Sequence, residues 1–181
     1  MENITTAERN KMAMMYGLLL ALIYLVITAA VNIVISNMIL FYSLKTAGFF
    51  LYFIIIGIFA ARIRKANGGY IEFKDIFGAV FIILVIAGLI SFIFNYIYML
   101  YIDPHYMDKI RQSTITFMEK FKTPGDKMDE ALKKFDEQVA ESKTFHFGRN
   151  LMNYLQGLLF DCLFGLIVCA IVKKKRPMFT T

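Results

Sequence analysis

The sequence predicts an all-α membrane protein: a bundle of four transmembrane helices, with an extracytoplasmic helical hairpin between the third and the fourth. Three observations predict it. Residues 12–34, 38–61, 76–100 and 151–172 form four apolar runs, each long enough to cross a bilayer, whose ~30 Å hydrocarbon core takes about 20 helical residues. Hydrophobic residues make up 58% of the chain and charged residues 19%, which leaves little for a soluble domain. Lysine and arginine gather in the short segments that flank the runs, and this gives the bundle an orientation. Residues 1–181 therefore read as a single membrane domain, with 101–150 as its outer helical segment.

The first run follows a short basic tail. It is longer than the apolar core of a signal peptide, and Thr28-Ala29-Ala30 is a weak cleavage match, so an uncleaved span is expected. Ser36-Asn37 makes a tight turn, so spans one and two are antiparallel. The connection 62–75 contains Asn67-Gly68-Gly69, a strong turn signal. Ile71, Phe73 and Phe77 then alternate with charges as the chain enters the interface. Asp75 falls in the first turn of span three, where a carboxylate complements the helix dipole.

Asp103-Pro104 predicts a fresh helix start, Asp as N-cap and Pro as first helical residue. Ile110, Phe117 and Phe121 share one face with Thr114. Thr123–Asp126 breaks that helix, and Met128, Leu132, Phe135 and Val139 give the next one a heptad-like seam. Two helices of this size bury too little to stand alone. They need each other, and the membrane rim or a second copy. Tyr16, Tyr42, Tyr70, Tyr96, Tyr98, Tyr101 and Tyr154 fall near predicted span ends, where an amphipathic ring is comfortable.

Charge orients the bundle. The N-terminal tail, the 62–75 connection and the C-terminal tail share one side and hold ten basic residues against four acidic ones. Segment 101–150 has nine of each and is neutral. The positive-inside rule places both termini in the cytoplasm and 101–150 outside. The net charge of +6 thus faces anionic lipid headgroups, not nucleic acid.

Span four carries the sharpest local pattern. Asn153, Gly157, Asp161, Gly165 and Cys169 recur every four residues as one ridge. Gly157, Gly165 and Cys169 are small enough for another helix to approach closely. Asp161 sits near mid-span, where a carboxylate costs about 2.5–3.5 kcal/mol on insertion scales. It is either a proton- or cation-linked site or a neutral acid hydrogen-bonded to a neighbouring helix, and the second is the default. Lys45, the one base inside a span, either reaches Asp161 across an axial offset of roughly 5 Å or snorkels to the outer headgroups, the favoured reading. Asn32, Lys45, Asn95, Asn150, Asn153 and Gln156 all lie in the outer halves of their spans. A channel needs polar lining throughout. This distribution predicts an outward-facing polar pocket, or an interhelical hydrogen-bond cluster, floored by Asp161.

His105 and His146 flank the outer segment without a recognised ligand spacing, so no metal and no cofactor are expected. Cys162 and Cys169 lie too far apart along span four to pair. The chain has no phosphate-binding loop, no GxSxG elbow and no His-Glu-x-x-His.

Arg62 and Arg64, followed by Gly68-Gly69-Tyr70-Ile71-Glu72-Phe73-Lys74-Asp75-Ile76-Phe77, carry a resemblance. With four spans, a long outer segment and a basic tail, the chain resembles the small bacterial membrane proteins grouped as domain of unknown function 4199, found largely in Bacteroidetes-type bacteria. The resemblance implies an inner-membrane location and brings no activity. The expected role is non-enzymatic: assembly with a second copy or a membrane partner through the span-four ridge. The alternative is a small proton- or cation-linked transporter, or a subunit of one, using Asp161.

Overall fold

The first helix starts six residues before its apolar run. In the computed structural model, which describes residues 4–142 and 147–175, α1 spans Thr6–Ile33. A capping box starts it: Thr5 Oγ1 accepts from the Glu8 amide at 3.2 Å, and the Thr5 amide donates to Glu8 Oε2 at 2.8 Å. Asn37 is the N-cap of α2, Met38–Ala66, its side chain accepting from the Leu40 amide at 3.2 Å.

At the far end of α2, Gly68 and Gly69 take φ of 72° and 87°. The Gly69 amide returns to the Arg64 carbonyl at 3.0 Å. This is a Schellman-type stop, which side chains with a Cβ resist. It turns the chain into α3, Phe73–Ile97, which runs on into a π-helical turn, Tyr98–Ile102. The four membrane helices are completed by α6, Phe147–Val172.

All four are long and apolar enough to cross a membrane, and between 17% and 33% of each apolar stretch is buried within the chain. Many other large apolar side chains, among them Leu22, Val26, Ile54, Leu159 and Ile171, are exposed, and only lipid can solvate them without cost. The fold is therefore a multi-pass all-α membrane bundle.

In cross-section α1 packs on α3 and α2, and α6 packs on α3 and α2. The buried core lies towards the end that carries the N-terminus, the α2–α3 turn and the C-terminal tail, called here the basic end. Leu20, Ile56, Ile63, Ile76, Ile83 and Leu84 form it, with Ala13, Ala21, Ala60, Ala79 and Ala87 between them. These small residues let the backbones close up. Gly17 is the tightest approach: a Cβ there would lie 3.0 Å from Ile86 Cβ and 3.3 Å from the Ile83 carbonyl. Tyr16 belongs to this core and not to an interface. It is 8% exposed and stacks on Phe59 with centroids 4.5 Å apart.

Polar contacts close the basic end. Arg9 pairs with Asp75 at 3.1 Å. Arg64 donates to the Val172 carbonyl at 2.9 Å, serving the open C-terminus of α6. Ile71 and Lys174 exchange two backbone hydrogen bonds of 2.9 and 3.0 Å. The C-terminal tail is thus stitched to the α2–α3 turn.

At the opposite end the chain leaves α3 and folds into α4, Tyr106–Lys120, and α5, Gly125–Ser142. Two local expectations need correction. Asp103 is not an N-cap: α4 starts after His105, with no side-chain cap, and the Asp103 carboxylate holds Lys109 at 2.8 Å instead. The break falls at 121–124, earlier than 123–126, because Lys122 takes a left-handed φ of 50° and the Thr123 amide returns to the Met118 carbonyl at 3.0 Å. Met128, Leu132, Phe135 and Val139 are half-buried. Arg111 of α4 grips Asp136 of α5 through two bonds, of 2.8 and 3.1 Å. The hairpin rests on the bundle through Tyr106 and Ile110, which pack on Val31, Ile35 and Phe41 at the α1–α2 turn.

Candidate functional site: a polar cavity at the hairpin end

Towards the hairpin end the four membrane helices part around a cavity of about 430 Å³. Helical spacing aims one stripe of each into it. These stripes are Tyr24 and Thr28 from α1, Lys45, Gly48 and Tyr52 from α2, Gly88, Ser91 and Asn95 from α3, and Asn153, Gly157 and Asp161 from α6. Tyr106 of α4 stands at the mouth.

Position along each helix gives depth. Tyr24, Tyr52, Gly88 and Asp161 are the members nearest the basic end and make the floor. The eight residues from Asn153 to Asp161 correspond to about 12 Å of descent. Beneath the floor the packing closes. A Cβ on Gly165 would meet Leu84 at 3.1 Å and Val80 at 3.4 Å, and Phe164 lies 5.0 Å from Phe53. Cys169, buried one turn further on, joins the core.

The floor is aromatic around a single acid. Tyr24 and Tyr52 meet edge to face at 6.0 Å. Tyr154 donates from its hydroxyl to the Val85 carbonyl at 3.1 Å. Its ring lies 5.8 Å from Phe92. Tyr52 and Tyr154 line the cavity with Asp161. Of the places the sequence allows Asp161, a hydrogen bond to a neighbouring helix or the floor of a polar pocket, the first is not the one seen. Instead it faces the cavity, and among the described residues no side chain donates to it.

Lys45 lines the same cavity, with its ammonium 4.3 Å from the Phe41 ring centroid, one turn towards the mouth. No carboxylate lies within ion-pair distance of it among the described residues. The ammonium thus lies over an aromatic ring of its own helix and not on Asp161.

Other predicted residues divide. Asn95 donates to the Ser91 carbonyl and Ser91 to the Ala87 carbonyl, both along their own helix, so their oxygens stay available to the cavity. Asn32 is buried behind the mouth and accepts from the Tyr106 hydroxyl at 3.4 Å. Burial and neighbouring tyrosines push that phenol up to about 12. Gln156 is exposed and outside the lining. Asn150 buries its amide nitrogen without a hydrogen-bond partner. Gly157 meets nothing within 4 Å and opens onto the cavity, whereas Gly165 packs on α3. The ridge is thus half lining and half packing.

The sequence reading missed Tyr24, Thr28, Tyr52, Ser91 and Tyr106. Tyr24, Thr28 and Asn32 repeat every four residues, a polar stripe in an apolar run that could have flagged α1. Tyr106 carries no such signal, because only the hairpin's docking brings it to the mouth. His105 sits on the surface with Nδ1 3.3 Å from Asp108 Oδ2, and His146 lies outside the described residues.

The model of one family, described as Protein of unknown function (DUF4199), matches residues 11–174. No curated protein and no solved structure matches the chain.

Proposed function

The chain belongs to this family, and from that premise we propose a non-enzymatic protein of the bacterial inner membrane that admits a small ligand from outside the cytoplasm into the cavity floored by Asp161. The observation that carries the reading is the division of the bundle. Polar groups and open space occupy the hairpin end, while the basic end is packed and stitched shut. Both termini are cytoplasmic and the hairpin is outside, on the strength of where lysine and arginine fall.

Binding is favoured over catalysis because the lining pairs no nucleophile with a base. Ser91, the one serine of the lining, spends its proton on a backbone carbonyl. Assembly through the α6 ridge is less well supported, since Gly165 and Cys169 are used inside the chain and Gly157 and Asn153 face the cavity. A proton- or cation-linked transporter is the same site with one added step, opening of the basic end. The unpartnered carboxylate on the floor favours it over assembly.

Gly157→Cys, in a background of Cys162→Ser and Cys169→Ala, tests the reading. A membrane-impermeant thiol reagent applied to intact spheroplasts is expected to label it, and to label Lys65→Cys at the α2–α3 turn only after permeabilisation. Labelling of the Lys65 variant alone in intact cells would reverse the orientation. Silence of the Gly157 variant in both states would remove the open cavity.

A further inference from the structure

We infer that the ligand is a small organic ammonium, its cationic nitrogen on Asp161 and its apolar body among the aromatic rings of the floor. This rests on the cavity reading above and adds its chemistry.

The floor holds one acid with no ion-pair partner among the described residues; it offers an anion no countercharge and, once ionised, repels it at the deepest point. A bare metal ion asks for six to eight oxygens, or about six in strict geometry, and the floor presents one carboxylate beside two or three phenols. A proton needs no space, and this cavity holds about 430 Å³. That is the size of a pocket for a small organic molecule.

Tyr24, Tyr52 and Tyr154 line the cavity together with Asp161, a composition that suits an ammonium on both counts. The carboxylate supplies charge, and each ring face attracts a cation through its quadrupole. Phe49 and Phe92 extend the apolar wall towards the mouth for the rest of the molecule.

Lys45 then acquires a role. Its ammonium is held over the Phe41 ring at 4.3 Å in the open cavity. On its flexible stem it is a tethered competitor for the same carboxylate. Removing it strengthens binding of a cation, both by lifting competition and by deleting repulsion at the mouth.

The probe is benzyltrimethylammonium, with phenylacetate and benzyl alcohol as the anionic and neutral comparisons, titrated by calorimetry into the full chain in dodecylmaltoside. The ammonium is expected to bind the parent protein. Asp161→Asn should weaken it at least tenfold, and Lys45→Gln should tighten it severalfold. Gly157→Phe, which takes up part of the cavity while keeping the acid, should also weaken it, and the tighter binding by Lys45→Gln together with parent-like thermal unfolding of Asp161→Asn guards against misfolding.

Equal or better binding of phenylacetate, unchanged affinity in Asp161→Asn, or no binding of the ammonium to the parent protein would each overturn the assignment. If Gly157→Cys still labels from outside, the cavity reading survives that failure. Nanodiscs of phosphatidylglycerol with and without phosphatidylethanolamine separate two sources of the same chemistry. Competition by phosphatidylethanolamine assigns the site to a lipid headgroup, and its absence assigns it to a free amine.

Discussion

Two glycines of similar appearance in the sequence do opposite things. Gly17 lets α1 touch the backbone of α3, with Ile86 and the Ile83 carbonyl where a methyl would go. Gly157 faces open space. Gly17→Ala should therefore cost about 1–3 kcal/mol through overpacking, whereas Gly157→Ala should fall within about 0.5 kcal/mol of the parent. Thermal unfolding in detergent, read for both variants side by side, checks the contrast. Equal losses would mean that the helices do not approach as described. Sequence alone singled out Gly157 as a packing residue and gave no signal at Gly17. The ridge on α6 is visible because its members recur every four residues, but nothing local says which of them meets a helix and which meets a void. Asp161, Asn95, Asn153 and Lys45 were legible as a group because polar atoms in an apolar run are costly and need a reason. Tyr52 was not, because a tyrosine in a span reads equally well as apolar filling.

The hairpin of α4 and α5 stands on few contacts, so single pairs matter more there. The hydrogen bond from Arg111, with the charge behind it, holds the Asp136 carboxyl below its ordinary range. A value lowered in the folded state means that the pair's contribution is present above the ordinary carboxyl range, near pH ~4, and is lost as the pH falls through the lowered value. Amide exchange across α4 and α5, corrected for intrinsic rate, should therefore accelerate below about pH 4. Arg111→Gln should show the faster exchange already at neutral pH and little further acid response. An acid response that survives the substitution would place its source elsewhere. The existence of two helices here was readable from apolar spacing. Their exact ends were not: the chain stops α4 by putting Lys122, not a glycine, into the left-handed region, which no composition rule anticipates. The docking of Tyr106 was equally hidden, since it depends on the path of the π-helical turn at Tyr98–Ile102.

Across the whole molecule, stability is concentrated at one end. The buried side chains lie towards the basic end, where Arg64 and the Ile71–Lys174 pairing fasten the last residues of α6 to the α2–α3 turn. Arg64→Gln should cost about 1–2 kcal/mol, the worth of a charged donor on otherwise unsatisfied helix carbonyls. It should also speed exchange of the Ile71 and Lys174 amides before any loss of helix content. Slow exchange retained at both amides would show that the tail is held by other means. Four spans and their hairpin order follow from apolar run length, which the bilayer enforces. The unequal packing of the two ends does not, because hydropathy is the same whether a helix faces lipid, a neighbour or a hole.

The unequal ends also shape the electric field across the bilayer. In the orientation proposed above, water admitted to the hairpin end would carry the outside potential down to the floor, and the membrane voltage would fall mainly over the packed layer between Asp161 and the basic end. A cation reaching Asp161 from outside crosses little of that voltage, and its affinity should depend weakly on it. Were the same cation to continue inward, it would cross nearly all of the drop, about 2.3 kcal/mol per 100 mV for one charge. In that orientation, inward movement would run downhill in a cell that is negative inside.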